Sequence, residues 1–145
     1  MDRLELVSAI HPLQSRLLAL AVILAQPAEP TETGLEGRWR NPNGSVIISI
    51  TQCEQSFCGR VQWASNKAVS DARRGGTDPL VGAKLLTDIV PRGEGRWSAR
   101  LFVPDIHKTS RAKLRLLGLD QLKVTGCAAG RIVCKSQVWT RATAE

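Results

Sequence analysis

The 145-residue chain has no tyrosine, two phenylalanines and one methionine. Large rings are therefore scarce, and the aromatic inventory is Trp39, Trp63, Trp97, Trp139, Phe57 and Phe102. A core built around so few rings is either filled by Ala, Val and Leu to normal density or left partly open, and the composition allows both. Histidine is nearly absent, with two in all and only His107 beyond the N-terminal segment. The cysteine pairs, Cys53-x4-Cys58 and Cys127-x6-Cys134, are wider than the Cys-x2-Cys pairs of zinc sites. No metal is expected. No basic run exceeds Arg73-Arg74, and bases do not alternate with stacking aromatics, so no nucleic-acid partner is expected.

Long apolar runs are missing too. The longest follows Arg16 and reads Leu17-Leu18-Ala19-Leu20-Ala21-Val22-Ile23-Leu24-Ala25, ended by Gln26-Pro27-Ala28-Glu29-Pro30. A spanning helix needs roughly 20 apolar residues, so no transmembrane span is expected in the mature protein. The run fits the hydrophobic region of a secretory signal peptide, with cleavage expected after Ala25 or Ala28. Residues 1–28 are thus expected to be a signal segment and residues 34–143 a single domain, in a periplasmic or secreted protein. Asp2 and Glu5 beside Arg3 and Arg16 leave the leader without net positive charge, so a buried or interfacial N-terminal helix is the alternative.

What the chain does have is base. Twenty Lys and Arg against 13 Asp and Glu give +7, with a pI near 9.8. The two acids and two bases of the leader cancel, so the mature part keeps that charge. Weak attraction to anionic polymers or lipid head groups follows. In an oxidising compartment the two close cysteine pairs read as local bridges, Cys53–Cys58 and Cys127–Cys134, although four cysteines allow three connectivities.

From Gly34 onward the hydropathy alternates with period two. Val46, Ile48 and Ile50 oppose Ser49 and Thr51, after the tight-turn dipeptide Asn43-Gly44. Residues 59–63 make another strand, with Glu54-Gln55-Ser56 as the hairpin loop before it. Trp97, Ala99, Leu101 and Val103 alternate with Ser98 and Arg100; Ala112, Leu114 and Leu116 alternate with Arg111, Lys113 and Arg115. Leu122, Val124 and Gly126 alternate with Lys123 and Thr125, and residues 133–141 close the chain. Two-faced alternation in about seven or eight short strands predicts an all-β, antiparallel up-and-down barrel or a sandwich. Residues 66–79 are polar, glycine-containing and too long for a hairpin, which suggests a segment that covers something or is disordered.

Gly37-Arg38-Trp39 opens the first strand and Trp139-Thr140-Arg141 ends the last. Closure of a meander barrel makes these strands neighbours and sets Arg141 against the Trp39 ring. The pairing resembles the lipocalin signature. A wider set of motifs resembles the DUF2147 family of uncharacterised bacterial exported proteins: Gly37-Arg38-Trp39…Asn43-Gly44, Cys58-Gly59-Arg60-Val61-Gln62-Trp63, Thr77-Asp78-Pro79-Leu80-Val81-Gly82, Gly95-Arg96-Trp97…Phe102-Val103-Pro104-Asp105, and Gly126-Cys127…Cys134-Lys135-Ser136-Gln137-Val138-Trp139-Thr140-Arg141. The resemblance implies a lipocalin-like barrel, a signal peptide and a non-cytoplasmic location, and it brings no activity. One departure follows Pro104-Asp105, where Ile106-His107-Lys108-Thr109-Ser110 replaces the family's glycine and tyrosine-bearing run.

Chemistry is hard to find. There is no Gly-x-Ser-x-Gly elbow, no phosphate loop and no metal cluster, so neither a catalytic residue nor a cofactor is expected. Asp71, Asp78, Asp88 and Asp105 all sit at expected turns or strand ends rather than facing one cleft. The first expectation is a binding protein holding a small apolar or anionic-amphipathic ligand in the barrel. Arg60, Lys67, Arg73 and Arg74 would form its basic rim, with Trp63 and Trp97 as aromatic contacts. The alternative is an envelope interaction protein with a filled barrel, whose basic surface meets an anionic envelope component.

Overall fold

The computed structural model describes Ala25, residues 34–128 and residues 133–143. The expected signal segment, residues 1–28, lies outside the described residues except for Ala25.

The strands are β1 (Gly37–Arg40), β2 (Val46–Cys53), β3 (Ser56–Ala64), β4 (Lys84–Pro91), β5 (Arg96–Val103), β6 (Lys108–Leu116), β7 (Gln121–Ala128) and β8 (Val133–Arg141). Each pairs antiparallel with the next, and β8 returns to β1 in a closed barrel. Barrel and not sandwich is thus the outcome of the alternation. Register explains why. Trp97 lies opposite Leu114, which lies opposite Val124, while Ala99 faces Ala112 and Ala112 faces Gly126. These form one inward face, whereas Ser98, Arg100, Arg111, Lys113 and Thr125 point outward on the same strands.

The strand β4 has no clean alternation, and its backbone shows the reason. Its register with β5 shifts between Thr87 and Val90, and Asp88 there has φ of 51°. This bulge lets Leu86 and Ile89 both be buried, and a second shift, against β3 between Gly59 and Arg60, lets Leu85 be buried beside Leu86. Residues 66–79 include a helix, α1 (Asn66–Arg74), between β3 and β4. Ser65 caps it, its hydroxyl accepting from Ala68 N at 3.1 Å, and Arg73 and Arg74 stand in its last turn. Ala68, Val69 and Ala72 form its apolar side against the core.

One end of the barrel is sealed. Trp39, Leu35, Ile48, Ile50, Leu86 and Leu122 are fully or almost fully buried there, and the Trp39 indole donates to Leu35 O at 2.8 Å. Burying such a side chain contributes about 1.5–3 kcal/mol, so this plug is a main source of stability. Arg141 closes it from below. Its guanidinium lies 4.2 Å from the Trp39 ring centroid and donates to Glu36 O, Gly34 O and Leu119 O at 2.6–2.9 Å. The sulfurs pair as Cys53–Cys58 at the β2–β3 hairpin and Cys127–Cys134 across β7 and β8.

Candidate ligand-binding cavity

The opposite end is open. A cavity of about 910 Å³ lies there, within the usual range for small-molecule sites. Its walls are Leu85, Leu101, Val124 and Trp139 from the strands, with Leu80 and Ala68 from the α1 region. The choice between an open and a filled interior therefore resolves along the barrel axis: filled around Trp39, open above Trp139.

The open end follows from the topology of closure. Strand β8 pairs with β7 from Val133 to Thr140, yet it meets β1 only at Arg40–Thr140 and Trp39–Arg141. Beyond Arg40 the chain turns away, held by Asn41, whose Oδ1 accepts from Ser45 N and Val46 N at 2.8 and 3.0 Å. The cavity fills the gap, with Asn41, Asn43 and Ser45 on one side and Val133, Lys135 and Gln137 on the other.

Few polar groups reach this space. Lys135 and Gln137 share the inward face of β8 with Trp139, and Lys135 sits opposite Gly126, over which the Leu101 side chain packs, 3.0 Å from where a Cβ would stand. Ser110 of β6 adds a hydroxyl. Lys67 and Asp71 come from α1, but they neutralise each other at 2.6 Å, and Asp71 also takes Arg74. The Asp71 carboxyl is held below its ordinary value near 3.8, first by the Lys67 hydrogen bond; burial opposes this, and the charges of Lys67 and Arg74 add to it. Lys135 has no ion-pair partner among the described residues. Asp105 lies at the rim, in the β5–β6 turn. Among the described residues lining the cavity, Lys135 is thus the cation without an ion-pair partner, and it stands exposed on the open side.

Helix α1 is fastened beside the mouth at both ends. Ser65 N donates to Ser45 O at 2.8 Å, and Thr77 Oγ1 donates to Pro104 O at 3.1 Å. His107, although exposed, approaches Thr77 Oγ1 at 3.3 Å through Nδ1 and sets its ring edge-on to Phe102 at 5.2 Å. A Cβ on Gly75 would lie 2.1 Å from Asp105 O, which makes the helix end and the β5–β6 turn a backbone-to-backbone fit.

Of the residues expected to bind ligand, Lys67 alone lines the cavity. Arg60 is exposed and donates to Gly82 O at 3.3 Å. Trp63 lies opposite Ile47 and is 46% exposed, away from the cavity. Arg73 and Arg74 bind Asp78 and Asp71. Trp97 is buried opposite Leu114 in the core. Alternation on β8 would have found Lys135 and Gln137, because both stand in register with the inward Trp139.

Among the described residues no three His, Cys, Asp or Glu side chains gather to hold a metal, and no helix is long and apolar enough to cross a membrane. The geometry defines a lipocalin-like barrel with a cavity at one end. Residues 37–141 match the family described as "Uncharacterized protein conserved in bacteria (DUF2147)", and the chain belongs to that family. Its fold is similar to that of protein HP1028 from Helicobacter pylori, which is described as a member of the lipocalin family. The two share 12% identity at a TM-score of 0.59, over 75% of this chain and 83% of that one. No curated protein matches.

Proposed function

We propose that this is an exported, non-enzymatic binding protein that holds a small apolar or anionic-amphipathic molecule in the barrel. The observation that carries the reading is the 910 Å³ cavity with a largely apolar wall and Lys135, a wall cation without an ion-pair partner among the described residues. Apolar walls supply affinity and a few placed polar groups supply orientation. A lysine in this setting favours a compact anionic head group, because an ammonium acts as a point charge rather than a bidentate fork. The two bridges support a location outside the cytoplasm, where disulfides persist.

Calorimetric titration with dodecanoate and dodecanol tests the site. The expected result is saturable binding of both, with dodecanoate tighter by about tenfold, the effect of one charge-assisted hydrogen bond. Lys135→Met removes that preference and leaves dodecanol binding unchanged. Absence of binding by either compound ends the ligand-binding reading. Equal binding in the unaltered protein removes only the anionic preference.

A further inference from the structure

The register of the barrel assembles a basic surface that the linear sequence does not show. On the outer face, Arg96 of β5 lies opposite Arg115 of β6, which lies opposite Lys123 of β7; Arg100 lies opposite Arg111. Lys113 stands between Arg111 and Arg115 on β6, and all six side chains are exposed. Like charges directly opposite on neighbouring strands repel and weaken a sheet. The compensating acid on this face is Asp88, 3.6 Å from Arg100, while Glu94 and Asp120 lie in turns beyond it. A face that keeps three like-charged cross-strand pairs is arranged for something other than stability.

The lower edge of this face carries exposed apolar residues. Just past Arg115 and before Lys123, the β6–β7 turn presents Leu117, which is exposed, and Leu119, which is 82% exposed. The turn is held firmly, with Leu117 N bonded to Gln121 O at 3.0 Å and Leu119 O accepting from Arg141 Nε at 2.9 Å. Bases beside protruding leucines match a bilayer interface, where cations meet anionic head groups and apolar side chains enter the acyl boundary. Nucleic acid would want stacking rings on the face, and none of the six positions or the turn supplies one.

We propose that the outer face of β5–β6–β7, with the Leu117–Leu119 turn, docks on an anionic lipid surface. The barrel then lies with its β5–β7 wall against the membrane and its sealed end tipped toward it, so the cavity mouth, at the other end of the barrel from the β6–β7 turn, opens to the side and not into the bilayer. The surface acts independently of what the cavity holds.

The test is co-sedimentation of the protein with vesicles of phosphatidylglycerol mixed with phosphatidylcholine, against vesicles of phosphatidylcholine alone. Each base near such a surface is worth about fivefold in partitioning. The triple change Arg111→Gln, Lys113→Gln, Arg115→Gln is expected to weaken binding by about a hundredfold. The same loss of charge on the opposite wall, through Arg38→Gln, Arg40→Gln and Arg60→Gln, leaves most of it. Leu117→Ser with Leu119→Ser lowers vesicle binding while sparing retention on a sulfonate cation exchanger. Thermal unfolding run in parallel checks the fold, and the β6 triple is expected to melt no lower than the unaltered protein, since it relieves repulsion. Equal loss from the two triples overturns the proposal, as does binding to duplex DNA tighter than to the mixed vesicles. Vesicle binding unaffected by the leucine changes overturns it as well.

Discussion

The guanidinium of Arg141 lies 4.2 Å from the centre of the Trp39 ring, and Gly37 makes that approach feasible. A Cβ at Gly37 would lie 2.7 Å from Arg141 Nη1, and the residue has φ of 122°. The Gly-x-Trp motif therefore has a steric meaning: glycine clears the space through which the arginine reaches the carbonyls ahead of β1. Arg141→Met loses the ring contact and three hydrogen bonds and is expected to cost about 2–4 kcal/mol. Gly37→Ala is expected to cost about 2–3 kcal/mol. The double variant should cost less than the sum, because both remove the same contacts. Urea unfolding followed by tryptophan fluorescence measures all three, and strict additivity would contradict the coupling.

Gly75 offers a second steric test. Its φ of −80° suits any residue, so Gly75→Ala acts only through the collision with Asp105 O. The expected result is a loss of about 1–3 kcal/mol, with faster hydrogen exchange confined to α1 and the β5–β6 turn. Exchange rates that stay unchanged there would show that the two segments do not depend on each other.

Filling the cavity should separate binding from folding. Ser110→Phe puts a ring into open space rather than into packed core. Its melting temperature is expected to stay near that of the unaltered protein while dodecanol binding is lost. Retained binding would move the ligand elsewhere.

The ion pairs of α1 give a pH dependence with a definite sign. The carboxyl of Asp71 is depressed in the folded state, so its contribution is complete above its ordinary value near 3.8 and disappears as the pH falls through the lower folded value. Carbon-detected NMR titration should place its midpoint below 3.8, and Lys67→Met should raise that midpoint, Lys67 being its main hydrogen-bond donor.

The bridges and the leader can be checked together on exported protein. Thiol titration under denaturing conditions should find no free cysteine, and N-terminal sequencing should begin after Ala25 or Ala28 rather than at Met1. Because the bridged loops are short, reduction of either pair is expected to cost about 2–3 kcal/mol rather than unfold the barrel.

Much of this architecture is visible in local pattern. Period-two alternation over residues 96–116 and 121–128 sets strand type and facing, since side-chain direction is a property of each strand alone. The cysteine spacings place each bridge for a similar reason, as partners in one hairpin are near in sequence. Local pattern fails at β4, where the bulge at Asp88 breaks alternation, and at α1, whose Ser65 cap and Gly75 end are helix signals set inside a polar stretch. Register and closure belong to the tertiary structure, because they pair residues far apart in the chain. They decide that Trp97 is core and Trp63 surface, and that β8 outruns β1 and leaves Lys135 facing an open cavity. They also gather six bases into one surface although no basic run in the sequence exceeds two residues. Alternate residues of three neighbouring strands share a face only once the strands are aligned.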